Sequence, residues 1–357
     1  EMDVRYTFSL KKMAFEPVRA ASMGLGRWAN VLADAALRGG KMRLVSCFSR
    51  TAEKRREFSR RYQTREAAAF EEFLRDPEIE AVILTTPNHN HLEHIEALAA
   101  AGKHVYCEKP IAHSLEHARK IVQAVERAGV KLAVGHSARR LAPSRKLKEL
   151  VDSGELGRVS MCESNFSTER GLELTPAMWR ASGELNPTGV AIQLSIHHID
   201  TLRYLNGPVR TVIGRLKRMY AAAEIEDTAM IVMEHASGVL SYVGGGWACP
   251  WAFHMNVHGT KGIAHFRLTG QQWRDPSKAP EPIRLRIDRG PLGEDTVLDM
   301  PEGDMFRDAL EDFALCVRGD RAPEVDGRAA CESLAVVYAA AESSRAGRAV
   351  ELAPFMP

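Results

Sequence analysis

Much is missing from this chain, and each absence narrows what it does. No apolar run approaches the roughly 18 residues of a membrane-spanning helix. The first 16 residues lack the continuous apolar core of a secretory leader, and Lys11-Lys12 is not a twin-arginine signal. Neither charge dominates: 48 Lys and Arg face 46 Asp and Glu, a net +2 spread over 357 residues without blocks. That excludes a concentrated basic face for nucleic acid and an acidic tail. The six cysteines (Cys47, Cys107, Cys162, Cys249, Cys316, Cys331) are far apart and form no C-x-x-C pair. Neither a disulfide framework nor a cysteine metal site is expected, and reduced, mostly buried thiols favour the cytoplasm. There is no internal repeat, low-complexity tract or long linker. The chain opens on Glu1, with Met13 as another potential start, so residues 1–16 are read as an N-terminal extension outside the fold.

What is present fits a globular protein of about two domains, 45% hydrophobic and 26% charged. Val18 to Met23 reads as a strand, though alanine and serine stand where β-branched residues are usual. It runs into Gly24-Leu25-Gly26-Arg27-Trp28-Ala29, a G-x-G-x-x-A pattern. The first glycine makes a tight turn, the second lets a pyrophosphate approach the backbone, and small Ala29 lets helix and strand pack closely. Its frame is the expected one: a helix from Arg27 to about Leu37, a Gly39-Gly40 stop, and a second strand over Arg43 to Phe48. At the end of that strand, where a carboxylate would bind a ribose 2′-hydroxyl, the chain has Ser49-Arg50-Thr51, with Lys54 a turn later. A hydroxyl and a guanidinium suit a 2′-phosphate, so NADP is favoured. Thr51 as helix cap with Arg50 stacking on adenine would equally permit NAD.

Ala81 to Thr86 is a buried parallel strand ended by Pro87-Asn88, and His104 to Cys107 is another, closed by Pro110. Lys109 is thereby delivered at a strand's carboxyl end, where open parallel sheets bind ligands. His89, His91 and His94 are not read as a metal site, because no cysteine or carboxylate shares a ligand spacing with them. Ser114 caps a further helix ending near Gly129, and Val130 to Val134 is the next strand. Strands alternating with helices define a doubly wound parallel sheet, a Rossmann-type domain over 17–135.

From residue 136 to 357 the pattern changes to an α+β domain. Arg139 and Arg140, where the chain leaves the sheet, are candidate contacts for an anionic or hydroxylated substrate. Gly189 to Leu205 reads as one buried helix with Gln193, His197, Asp200 and Tyr204 as a polar stripe facing a pocket. His198, off that stripe, is read as structural. Six strand-like stretches follow: Arg210–Gly214, Thr228–Glu234, Val239–Val243, Phe253–Gly259, Gly262–Leu268 and Ile283–Ile287. Few crossover helices separate them, so the sheet is large, open and mostly antiparallel, with one face for helices and one free for a subunit partner. Helices over Met305–Arg318 and Arg328–Ala346 close the chain. Pocket loops are placed at Thr168 to Trp179 and Gly244 to Trp251, with Trp179 and Arg180 as substrate contacts.

In order and spacing, G-L-G-R-W, S-R-T-A-E-K, T-T-P-N-H-N-H, C-E-K-P, S-G-E-L-G, H-H-I-D-T-L-R-Y-L and V-H-G-T-K-G resemble the Gfo/Idh/MocA family of NAD(P)-dependent oxidoreductases over residues 17–350. The resemblance implies hydride transfer between nicotinamide and a secondary alcohol or ketone of a sugar, cyclic polyol or related diol. By it Lys109 is the active-site lysine, Pro87 and Asn88 flank the nicotinamide, and Thr86, His91 and Glu108 join the cofactor set. His197 is the helix histidine, a general base, with Lys109 steadying developing alkoxide charge. Where many members carry an aspartate four residues before this histidine, the chain has Gln193, which cannot relay a proton but can hydrogen-bond. Together with the sheet architecture, the resemblance implies a homo-oligomer, dimer or tetramer, acting on a small molecule, with neither nucleic acid nor membrane as partner. A cofactor-binding sensor, or a lyase or glycosidase using transient oxidation, are the alternatives; retention of Lys109 and His197 weighs against the first.

Overall fold

In the computed structural model, residues 15–274 and 279–356 are described, so most of the N-terminal extension lies outside the described residues. The first half alternates strictly: β1 (Val18–Met23), α1 (Arg27–Gly39), β2 (Met42–Phe48), α2 (Ala52–Tyr62), β3 (Arg65–Glu66), α3 (Phe70–Arg75), β4 (Ala81–Leu84), α4 (His91–Ala100), β5 (His104–Cys107), α5 (Leu115–Ala128) and β6 (Leu132–Val134). The strands pair in parallel in the order β3-β2-β1-β4-β5-β6. Strand direction of travel across the sheet reverses between β1 and β4, which places a crevice above their carboxyl ends. Ser114 caps α5 by accepting from the His117 N–H at 3.2 Å. Gly40 ends α1 in the left-handed conformation.

The second half adds α6 (Ala142–Asp152), β7 (Val159–Ser167), α7 (Ile196–Asn206), β8 (Val209–Lys217), β9 (Thr228–His235), β10 (Leu240–Gly246), β11 (Ala252–Gly259), β12 (Gly262–Arg267), α8 (Gly270–Arg274), β13 (Arg284–Asp288), β14 (Thr296–Asp299), α9 (Met305–Arg318), α10 (Gly327–Ala346) and β15 (Val350–Glu351). The nine strands are ordered β14-β13-β12-β11-β7-β10-β9-β8-β15, antiparallel except for β7 against β10. α7 and α10 cover one face. At Gly245 of β10 an added Cβ would collide with Ser195 Oγ, so glycine is what lets the helical segment before α7 lie against the sheet. On the other face Met161, Ile213, Met230, Val232 and Leu240 are exposed, with Val232 opposite Ile213 and Leu240 opposite Met161.

Two expectations need correction. β7 was not anticipated: its sequence, Val-Ser-Met-Cys-Glu-Ser-Asn-Phe-Ser, carries few β-branched residues, and its place beside β10 is set by tertiary pairing rather than propensity. The helix expected over 189–205 is also not uniform, because Ala191–Ser195 forms a π-helical turn before α7.

The halves interlock. α9 returns to the first sheet, where Phe313 meets Tyr106 at 5.9 Å and Phe306 meets Trp28 at 5.7 Å. Around it Arg38 pairs with Asp304 at 2.6 Å, Lys41 with Glu311 at 2.8 Å and Arg318 with Glu80 at 2.8 Å.

Candidate active site

The carboxyl ends of β1, β2, β4 and β5 open onto a cleft of about 840 Å³ whose far wall is the second domain. Gly24 turns the chain at φ +89°, and a Cβ there would stand 2.6 Å from Thr86 N, so only glycine fits between β1 and the end of β4. Thr85 Oγ1 donates to Gly24 O at 2.6 Å and fixes this turn. Leu25 is buried, whereas an added Cβ at Gly26 meets nothing, leaving the backbone open to the cleft. α1 begins at Arg27 without an acid in its first turn, so its free amides present positive potential.

Ser49, Arg50 and Lys54 line the adjoining end of the cleft. Arg55 Nη1 donates to Ser49 O at 2.6 Å and sets the loop. Thr51 is the N-cap of α2 without a capping side-chain bond. Among the described residues no carboxylate pairs with Arg50 or Lys54. Burial first, then the Arg50 charge, pushes the neighbouring His89 and His94 below the usual histidine range, His94 to about 4.

At the centre, His91 ties two strand ends together. Nε2 lies 2.9 Å from Thr86 O, while Nδ1 lies 3.1 Å from Pro110 O and 3.2 Å from Cys107 Sγ. Burial pushes it down to about 4, so the ring is neutral and one of its two nitrogens donates to the carbonyls around it, Thr86 O on the Nε2 side or Pro110 O and Ile111 O on the Nδ1 side. His91 thus positions Thr86, Pro87 and the Lys109–Pro110 peptide. The Asn88 side chain is buried at the cleft wall, and neither of its amide atoms has a partner among the described residues.

Lys109 Nζ donates to the main-chain oxygen of Gln193 at 2.8 Å, bridging the two domains. Burial pushes Lys109 down and Glu108 up, each moderated by the other's charge. His197 faces the same space, with the Trp273 ring 5.3 Å and the Phe166 ring 5.6 Å away. Burial, then the Lys109 charge, hold it well below the usual range, and Nδ1 has no partner among the described residues. Gln193 is held from behind by Asn186, which accepts from Nε2 at 2.8 Å and donates to Arg180 O at 2.8 Å. Arg180 lies over Trp179, Cζ 4.3 Å from the ring centroid.

Not every expected residue arrives here. Arg139 and Arg140 do not reach the cleft, because the turn after β6 aims them at α7 and α9. Arg139 makes two bonds to Asp200, at 2.7 and 2.6 Å, and Arg140 pairs with Asp312 at 2.8 Å and Glu324 at 2.9 Å. The polar stripe also divides. Gln193 and His197 reach the cleft, but Asp200 binds Arg139, and Tyr204 accepts from Arg145 at 2.8 Å. Only the start of α7 borders the cleft, and the π-helical turn changes the phase of the face that precedes it. His198 contacts Asn165 O at 3.1 Å and packs on Phe253.

Sequence reasoning missed Asn186, Phe166 and Trp273. The signal was there: of five tryptophans in the chain, all five (Trp28, Trp179, Trp247, Trp251, Trp273) line this cleft.

A glycine turn at a helix N-terminus on a parallel sheet, facing a lysine and a histidine across a cleft, defines a nicotinamide-dependent oxidoreductase. Comparison with known proteins agrees: residues 18–136 match the NAD-binding Rossmann-fold oxidoreductase family and 144–265 the GFO/IDH/MocA C-terminal domain. The chain belongs to the Gfo/Idh/MocA oxidoreductase family, and it is an enzyme of that class. It is 28% identical to a 1,5-anhydro-D-fructose reductase of Ensifer adhaerens, covering 89% of this chain and 93% of that protein. With a D-xylose 1-dehydrogenase [NADP(+)] of Haloarcula marismortui the identity is 26%, over 94% and 93%. A crystal structure from Desulfitobacterium hafniense, described as a candidate NADPH-dependent oxidoreductase, matches at 40% identity and TM-score 0.91, covering 96% of this chain and all of that one.

Proposed function

We propose that the protein is an NADP-preferring dehydrogenase or reductase for a secondary alcohol or ketone of a sugar, cyclic polyol or related diol. The observation that carries this reading is the meeting of Lys109 and His197 in a cleft walled by tryptophan, whose flat faces suit the C–H faces of a sugar ring. The residues present fit a dinucleotide. The open backbone at Gly26 and the α1 N-terminus suit its pyrophosphate, and the unpartnered Asn88 amide suits the nicotinamide carboxamide. When bound, the nicotinamide accepts or donates the hydride. His197 takes the hydroxyl proton at Nε2, the ring nitrogen that protein does not enclose, and is neutral and ready to do so because burial and Lys109 disfavour imidazolium. Lys109, anchored on the Gln193 main chain, steadies negative charge on the reacting oxygen. The tryptophans and Phe166 keep water from the reacting carbon.

The deciding experiment is a panel of sugars, polyols and aromatic diols with each cofactor, read by nicotinamide absorbance. Turnover of polyols with reduction of NADP supports the reading, and turnover confined to aromatic diols overturns its substrate class. For the cofactor, Arg50→Ala is expected to weaken NADP binding roughly tenfold or more while changing NAD little, as loss of a charged phosphate contact predicts. Equal losses for the two, measured by fluorescence titration, would remove the phosphate argument.

Support for a homo-oligomer comes from the exposed apolar residues on the uncovered sheet face. Light scattering at micromolar concentration is expected to give a mass of two chains or more, and Met230→Lys, which puts a charge into the middle of that patch, to shift it towards one.

A further inference from the structure

The hydrogen bonds behind Gln193 decide which end of its amide faces the substrate. A main-chain carbonyl only accepts, so the Asn186 group 2.8 Å from Arg180 O is Nδ2. The other end, Oδ1, then faces Gln193 and takes a donor, which Nε2 supplies at 2.8 Å. Asn186 is fully buried, so water does not compete for either bond. What remains is Gln193 Oε1, with no donor among the described residues and not enclosed by protein, on a side chain that lines the cleft. Gln193 and His197 both line the cleft, and so reach neighbouring oxygens of one small molecule. The main chain of Gln193 meanwhile holds Lys109.

We propose that Asn186 is a positioning residue that locks Gln193 with its carbonyl oxygen towards the cleft, and that this acceptor selects substrates bearing a free hydroxyl beside the carbon that is oxidised. The inference rests on the alcohol-oxidising reading above and narrows it to vicinal diols. A deoxy or O-methyl analogue at the neighbouring carbon offers no donor and leaves Oε1 unpaired in a dry site.

The experiment compares kcat/KM for a polyol that turns over and for its deoxy and O-methyl analogues at the neighbouring carbon. In the wild type the free hydroxyl is favoured roughly 10- to 100-fold, the effect of leaving one buried acceptor unsatisfied. Gln193→Met keeps the length and removes the acceptor, so the ratio collapses towards one. Asn186→Leu frees the amide to turn over and narrows the ratio several-fold. Asn186→Asp, protonated at this fully buried position, donates its hydroxyl to Arg180 O, still accepts from Nε2 and keeps the ratio, which a merely structural role for Asn186 does not explain.

A wild-type ratio near one, or an unchanged ratio in either Gln193→Met or Asn186→Leu, overturns the inference while leaving the alcohol-oxidising reading intact. If instead no polyol turns over, that earlier reading is what fails. The same substrate pairs titrated into the NADPH-loaded protein, which holds no hydride acceptor, and followed by tryptophan fluorescence, then measure the hydroxyl preference without turnover.

Discussion

Replacing His197 with asparagine lowers kcat/KM for alcohol oxidation by roughly 10²- to 10⁴-fold, the contribution of a positioned general base. The dissociation constant for the cofactor stays nearly constant, because His197 belongs to the second domain, away from the glycine turn. The pH profile carries the same prediction further. Burial and the Lys109 charge depress the imidazole, so the acidic limb falls below the ordinary histidine value of about 6.5. Gln193→Asp places a carboxylate in the same cleft, stabilises imidazolium and raises that pKa. Since protonated His197 cannot accept the hydroxyl proton, the limb moves to higher pH. If Lys109 in its deprotonated form were the base, the wild-type limb would instead lie above the ordinary histidine value, where the lysine titrates even after burial lowers it. Near-normal turnover in His197→Asn would remove the histidine from the chemistry altogether.

The largest expected effect on stability is at Asp200. Its carboxylate is fully buried and meets Arg139 at 2.6 and 2.7 Å, Ser333 Oγ at 3.1 Å and His136 at 3.9 Å. Burial by itself pushes the carboxyl up, but Arg139 and then His136 outweigh it and the net shift is downward. Asp200→Ala leaves a buried guanidinium without its counter-charge, and about 3–5 kcal/mol of stability is lost. The exposed Arg38–Asp304 pair is the control: Arg38→Ala is expected to cost no more than about 1 kcal/mol. Urea denaturation of the three proteins measures both. Because the folded pKa of Asp200 lies below the unfolded value of about 3.9, its contribution is complete above that value and is lost as the pH falls below it. A loss in Asp200→Ala no larger than in Arg38→Ala would show that Arg139 finds water or another acid.

Local signals carried most of the fold. The G-x-G-x-x-A turn, the Gly40 stop, the Ser114 cap and the limits of α9 all rest on backbone rules that act within a few residues, and all are found where the sequence puts them. β7 was illegible because its partner β10 lies some eighty positions away and its own residues have weak strand preference. In the site, Lys109 could be placed from Cys107 and Pro110, since a strand end and a proline fix the exit of the chain. Arg139 and Arg140 could not, because the same kind of exit there leads into a turn whose direction depends on acids far along the chain, Asp200, Asp312 and Glu324. Asn186 was invisible for a related reason. Nothing local marks an asparagine whose value lies in one bond to Arg180 and one to Gln193.

The interlocking of the halves matters for how the protein is made. The side chains of α9 that cover the first sheet, Phe306, Leu310 and Phe313, are synthesised long after the last strand of that sheet, which ends at Val134. At 5–20 residues per second the dinucleotide-binding half waits roughly 10–30 s after its own completion before that cover emerges. During this interval Tyr106 and its neighbours in the nascent sheet face solvent. A fragment ending before Met305 is therefore caught permanently in that state, and the cofactor-binding half expressed alone should self-associate through the face that α9 normally hides.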